Sequence, residues 1–291
     1  MHSALRIAAL LLALLAVLAT RPAQAMESRA FLTTDQVRLH YLLDGPRNAT
    51  RTIVFVPGWT MPAWIFERQI AAFAAAGYRV AALDPRGQGQ SDIAPSGYDH
   101  IRRGQDIAEL ISILGGGPVL LVGWSLGVLD TLAYVRTHGD ARIAGLVLVD
   151  NSVGEDPPPV PFPPRTGPKP PREAAMRGFV RGMFRHPQPE AWLDRLTATA
   201  LRTPEFVARQ LLAYPVARSY WKEAVYSTAR PVLYIVRPKF AAQAANLGAR
   251  HPAAEVVVLD SAAVGHALFV DDPAWFNGAL ASFMWRRLLW R

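Results

Sequence analysis

A layered α/β architecture is what this sequence predicts: a mostly parallel sheet flanked by helices, with a helical cap inserted into it. Three observations lead there. Short apolar runs bounded by turn residues alternate along the chain with segments of helical periodicity, the pattern that parallel strands buried on both faces produce. The composition changes abruptly after Asp150, where a proline-rich stretch interrupts the alternation before it resumes. The length of 291 residues suits a single large α/β domain carrying an insertion.

Residues 1–25 read as a secretory leader and stand outside the fold. Arg6 precedes an unbroken apolar run from Ile7 to Ala19, followed by the small-residue site Ala23-Gln24-Ala25. That run of 13 residues is shorter than the roughly 20 a membrane-spanning helix needs. The expectation is export to the periplasm or beyond, with the mature chain starting at Met26. The sequence has no cysteine, which excludes disulfides, cysteine-ligated metals and a lipid-modified cysteine anchor.

The segments Ala30 to Thr33 and Val37 to Leu42 alternate polar and apolar residues, as an antiparallel hairpin opening the sheet would. Strands are predicted at Thr52–Val56, Arg79–Leu83, Val119–Val122, Gly145–Val149, Val232–Val236 and Glu255–Leu259. Helices are predicted over Trp64–Ala76 and Gln105–Leu114, where apolar positions return every three or four residues. From Asp156 to Pro171 proline dominates. Because proline has no backbone donor and cannot extend a ladder, this is an extended surface connection. Helical stretches around Ala174–Phe184, Glu190–Thr199 and Pro204–Tyr214 then complete a cap assigned to residues 151–230.

The chemistry concentrates in Gly123-Trp124-Ser125-Leu126-Gly127, between the strand Val119–Val122 and a helical stretch Val128–Thr137. A serine lifted off a sheet by a strained strand-to-helix turn leaves room only for tiny side chains two residues to either side. Ser125 is therefore the expected nucleophile. The same turn directs the Leu126 backbone N–H toward the place where an oxyanion would develop, beside a helix N-terminus. A second donor is expected from Val56-Pro57-Gly58-Trp59-Thr60, after the strand Thr52–Val56. Trp59 N–H is the candidate, because Gly58 lets the backbone come close; the indole could equally be an apolar wall of the pocket. The general base is expected on a loop after the last strand, where Val264-Gly265-His266-Ala267 lies. His40, His100, His138, His186 and His251 lack that context and read as surface or packing residues.

The segments Pro57 to Asp92 and Val119 to Gly127, with Gly265-His266, resemble the α/β-hydrolase superfamily. The run from Phe55 through Asp84-Pro85-Arg86-Gly87-Gln88-Gly89-Gln90-Ser91-Asp92 is similar to its branch of cofactor-free haloperoxidases, perhydrolases, esterases and lactonases. The resemblance covers roughly residues 35–150 and 231–285. It implies an eight-stranded sheet, a serine–histidine–acid triad, no metal or organic cofactor, and a structural turn without catalytic role at Asp84–Asp92. Pro57 departs from the histidine many relatives carry there. The acid departs further: the family usually places it just after the strand corresponding to Val232–Val236, but no Asp or Glu occurs from Pro231 to Ala254, and Arg237-Pro238-Lys239 stands in that place. Asp150, at the C-terminal end of the strand after the one carrying Ser125, is the expected acid, since neighbouring strands lie only about 5 Å apart. Asp260 is the alternative.

These residues point to hydrolysis of a carboxylic ester or lactone through an acyl-serine. Carbon–carbon bond hydrolysis or perhydrolysis on the same triad, and a degenerate hydrolase that only binds, are the competing readings. A net charge of +8 suggests affinity for anionic surfaces, including peripheral contact with a membrane. No nucleic-acid-binding motif accompanies the charge. The C-terminal Trp285 to Arg291 would suit an interfacial helix, although a frayed last helix of the fold accounts for it as well.

Overall fold

A computed structural model describes residues 26–160, 167–213, 215–260 and 262–290. The expected leader, residues 161–166 of the proline-rich stretch, and Tyr214 at the end of an expected helix lie outside the described residues.

Eight strands form one sheet: β1 (Glu27–Leu32), β2 (Arg38–Asp44), β3 (Thr52–Val56), β4 (Arg79–Asp84), β5 (Val119–Trp124), β6 (Ile143–Val149), β7 (Val232–Val236) and β8 (Ala254–Val258). Their spatial order is β1-β2-β4-β3-β5-β6-β7-β8. The β1–β2 and β2–β4 pairs are antiparallel. The other pairs, from β4–β3 to β7–β8, are parallel. The hairpin and the six parallel runs lie within three residues of their expected bounds at each end, and Thr52–Val56 and Val232–Val236 match at both.

Among the described residues, ten α-helices follow in chain order: α1 (Glu67–Ala75), α2 (His100–Ile113), α3 (Leu126–His138), α4 (Arg172–Gly182), α5 (Glu190–Leu201), α6 (Glu205–Gln210), α7 (Arg218–Ser227), α8 (Ala241–Arg250), α9 (Leu268–Asp271) and α10 (Pro273–Phe283). Residues alternating along a strand face opposite layers. In β3, Val54 and Val56 join Ile107, Leu110, Leu132 and Leu247 on one side, while Ile53 and Phe55 join Phe66, Ile70, Phe276 and Leu280 on the other. Central strands buried on both faces explain why these runs are apolar throughout.

Three differences from the sequence reading have local causes. The helix expected over Trp64–Ala76 begins as a separate 3₁₀ turn, Ala63–Phe66, before α1. The helix expected from Gln105 starts at His100, because the Asp99 side chain accepts the Arg102 N–H as an N-cap. Within the 151–230 segment, α7 belongs to the layer beside the sheet. Its Trp221 is buried and donates its indole N–H to Leu129 O of α3, so the inserted helices that remain over the sheet are α4, α5 and α6.

Candidate active site

Ser125 stands between β5 and α3 with φ +54° and ψ −123°, and its side chain makes no cap bond to α3. A side chain rarely tolerates that backbone, and the turn closes only because its flanks are bare. A Cβ on Gly127 would lie 2.3 Å from Val56 O, and one on Gly123 2.5 Å from Gly127 O. The turn is tied to the sheet by Ser125 N–H donating to Val149 O at 2.8 Å. Asn151 Nδ2 donates to Ser125 O.

Ser125 Oγ lies 2.8 Å from His266 Nε2, and His266 Nδ1 lies 2.7 Å from Asp150 Oδ2. An ionised carboxylate can only accept, so Nδ1 carries the proton and Nε2 is left free to accept from the serine hydroxyl. The structure thus brings together Ser125, His266 and Asp150, three residues far apart in the chain. Asp260 lies elsewhere: its carboxylate accepts from Ala262 N and its carbonyl from Ala263 N and Val264 N, a turn residue.

Asp150 is 1% exposed and has φ +51°. Among the described residues, the other non-glycine positions with positive φ are Gln36, Thr60, Ser125 and Leu289, so Thr60, Ser125 and Asp150 concentrate backbone strain at this edge of the sheet. Arg237, in the place where the resemblance implied an acid, donates Nε–H to Asp150 Oδ2 at 2.7 Å and its backbone N–H to Oδ1 at 3.0 Å. Burial works to raise the Asp150 carboxyl, but the hydrogen bond from His266 and the charge of Arg237 outweigh it and hold the group below its ordinary value.

The histidine loop is fixed from three directions. Trp124 donates its indole N–H to His266 O at 2.9 Å, Asp271 accepts Gly265 N–H, and Met183 O at the end of α4 accepts Ala267 N–H at 3.0 Å. Leu126 is the first residue of α3, where backbone N–H groups have no intrahelical acceptor. Gly58 passes so close to Ser125 that a Cβ there would meet Ser125 Cβ at 2.9 Å, which brings the Gly58–Trp59 peptide to the same place. The Trp59 indole donates to Ala208 O of α6 at 2.7 Å and meets the Phe179 ring of α4 edge-on at 5.1 Å. Beneath this loop lies Gln88. Its Nε2 donates to Gly58 O and Met61 O, both at 3.0 Å, and its Oε1 accepts Thr60 N–H at 3.2 Å.

Sequence reasoning passed over the parts played by Arg237, Trp124 and Gln88. Gln88 lies in the Asp84–Asp92 turn, which was given a structural role only. There Asp84 accepts from Ala63 N and Gln90 N and pairs with the buried His40.

Comparison with known proteins shows the family. The model of the alpha/beta hydrolase family matches residues 53–279. A non-heme chloroperoxidase of Streptomyces lividans is 34% identical over 117 residues, 40% of this chain and 42% of the relative. A bifunctional esterase/perhydrolase of Acinetobacter calcoaceticus is 32% identical over a stretch covering the same 40% and 42% shares. The match thus spans less than half the length of these curated relatives. The crystal structure of a bromoperoxidase from Bacillus anthracis superposes with a TM-score of 0.74 at 21% identity, over 89% of this chain and 99% of that one, a likeness of fold. With the eight-stranded sheet, the strained strand-to-helix turn at Ser125 and a family match across most of its length, the chain belongs to the alpha/beta hydrolase family.

Proposed function

We propose that this protein is a serine hydrolase that cleaves a carboxylic ester or lactone through an acyl-serine intermediate. The observation that carries the reading is the continuous relay from Ser125 Oγ through His266 to Asp150, at 2.8 and 2.7 Å, on a strained strand-to-helix turn. Ser125 Oγ attacks the carbonyl carbon as its proton passes to His266 Nε2, and Asp150 stabilises the imidazolium that forms. The tetrahedral oxyanion lies against the N–H groups of Leu126 and Trp59. Collapse breaks the carbon–oxygen bond, and the departing alkoxide takes the proton from His266. In a lactone the alkoxide stays tethered to the acyl group. Water then attacks the acyl-serine, giving its proton to His266, which returns one to Ser125 as the acid leaves.

The names of the relatives favour one second reading, perhydrolysis, in which hydrogen peroxide replaces water at the acyl-serine. Asp150 beside His266 supports a working triad over a non-catalytic binding role. Hydrolysis of p-nitrophenyl acetate with and without peroxide separates the two enzymatic readings. Ser125→Ala abolishes both activities if the acyl-serine is real. Export follows from the leader motif of residues 1–25. N-terminal mass spectrometry of protein recovered outside the cytoplasm finds Met26 as the first residue if that assignment is right, and an intact Met1 in a membrane fraction overturns it.

A further inference from the structure

We infer that Gln88 is a positioning residue for the oxyanion site: its side-chain amide sets the rotation of the Gly58–Trp59 peptide and so aims the Trp59 N–H at the developing negative charge. The inference rests on the proposed acyl-serine chemistry and on the reading of Trp59 N–H as a donor.

The argument begins with the planarity of the peptide bond. Gly58 C=O and Trp59 N–H belong to one trans peptide unit and point in opposite directions, so whatever fixes the carbonyl fixes the N–H. Gln88 Nε2 donates to that carbonyl at 3.0 Å. Met61 N–H also donates to it, at 3.2 Å, closing a turn over Gly58 to Met61. The carbonyl is thus held down into the protein. Gly58 also adjoins Ser125, near enough that no side chain would fit between them. The peptide is held with its acceptor toward Gln88, and planarity turns its donor away from Gln88.

The loop does not hold this shape by its own preference. Thr60 is β-branched yet has φ +60°, a region such residues avoid, and its hydroxyl is buried without a hydrogen-bond partner. Strain of this kind persists only where surroundings over-determine it, and Gln88 supplies the determination. It is 1% exposed, and its amide meets three backbone groups of the loop, each with the matching polarity: Nε2 faces two carbonyls and Oε1 one N–H. The Trp59 indole, held by Ala208 O and Phe179, restrains the same residue from the side of α6 and α4.

Two substitutions test this. Gln88→Glu keeps the shape but sets a carboxylate oxygen against two carbonyls, driving the peptide away. Gln88→Met keeps the volume and removes the polarity. Losing one oxyanion donor outright costs about 10²–10³-fold in kcat. The misaimed peptide is expected to lower kcat on p-nitrophenyl acetate by roughly 10- to 10²-fold in both variants, with KM within about twofold. Affinity for an arylboronic acid, whose serine adduct is tetrahedral and anionic, should fall by the same factor as kcat/KM, whereas a purely structural role lowers the melting temperature without that parallel. If either folded variant keeps wild-type kcat and boronate affinity, or loses kcat while boronate affinity is unchanged, the inference is overturned. Activity retained by Ser125→Ala would instead remove the acyl-serine reading itself.

Discussion

Asp150 concentrates the account at the scale of single residues. Its Oδ2 accepts from both His266 Nδ1 and Arg237 Nε at 2.7 Å. An amide at this position turns a donor toward the imidazole or holds the wrong tautomer. Asp150→Asn is therefore expected to lower kcat by about 10³–10⁴-fold, with a stable fold, as replacing a triad carboxylate does elsewhere. Asp260→Asn, a turn substitution, should leave kcat within about threefold, within the tolerance of surface changes. Steady-state kinetics on the two variants side by side decide between the carboxylates. Arg237 is expected to matter less but visibly. Arg237→Met removes the permanent cation from a buried carboxylate, and loss of a charged hydrogen bond worth about 1.5–3 kcal/mol should appear as a roughly tenfold or greater fall in kcat. Arg237→Lys restores little of it, because an ammonium group does not reproduce the Nε donor of the guanidinium.

At the scale of elements, glycine shows how tightly the catalytic edge is built. A Cβ at Gly127 would sit 2.3 Å from Val56 O and 2.8 Å from Pro57 O, both backbone atoms that cannot swing aside. Gly127→Ala should fold poorly or melt many degrees lower. Gly178, inside α4, is exposed and has nothing within 4 Å of an added Cβ. There alanine only reduces the freedom of the unfolded chain and favours the helix, so Gly178→Ala should raise stability by about 0.5–1 kcal/mol; chemical denaturation of both variants checks the contrast. The turn at Ser125 was legible in the sequence because its requirements are local, two glycines beside a serine between an apolar run and a helix. The strands were legible for the same reason, since burial on both faces leaves continuous apolar runs. The start of α2 was not, because Arg102 and Arg103 break its apolar period and the Asp99 cap precedes it. The loop clamp at Gln88 was not legible either. Its partners lie about thirty residues earlier, and nothing in the sequence marks which glutamine will reach them. Asp150 was reachable only by elimination and strand adjacency, and the role of Arg237 follows from the β6–β7 pairing that no local pattern reveals.

For the molecule as a whole, a buried ion-pair cluster ties stability to pH. Arg86, wholly buried, donates to Asp106 and to Asp35. Burial works to raise the Asp35 carboxyl, but Arg86, Thr33 and Arg102 hold it at about 2. A carboxyl lowered by folding contributes stability above its unfolded pKa of about 4 and loses it as pH falls toward the folded value. The difference in melting temperature between wild type and Asp35→Asn should thus be greatest above pH 4 and shrink toward pH 2; a difference that stays constant with pH would assign Asp35 no ionic role. The central claim remains the covalent one, that Ser125 becomes acylated with His266 as its base. Reaction of the intact protein with a fluorophosphonate probe, followed by peptide mass spectrometry, tests it most directly. The account predicts one adduct, on Ser125, lost in Ser125→Ala and strongly slowed in His266→Ala; an unlabelled Ser125, or labelling as fast without His266, would contradict it.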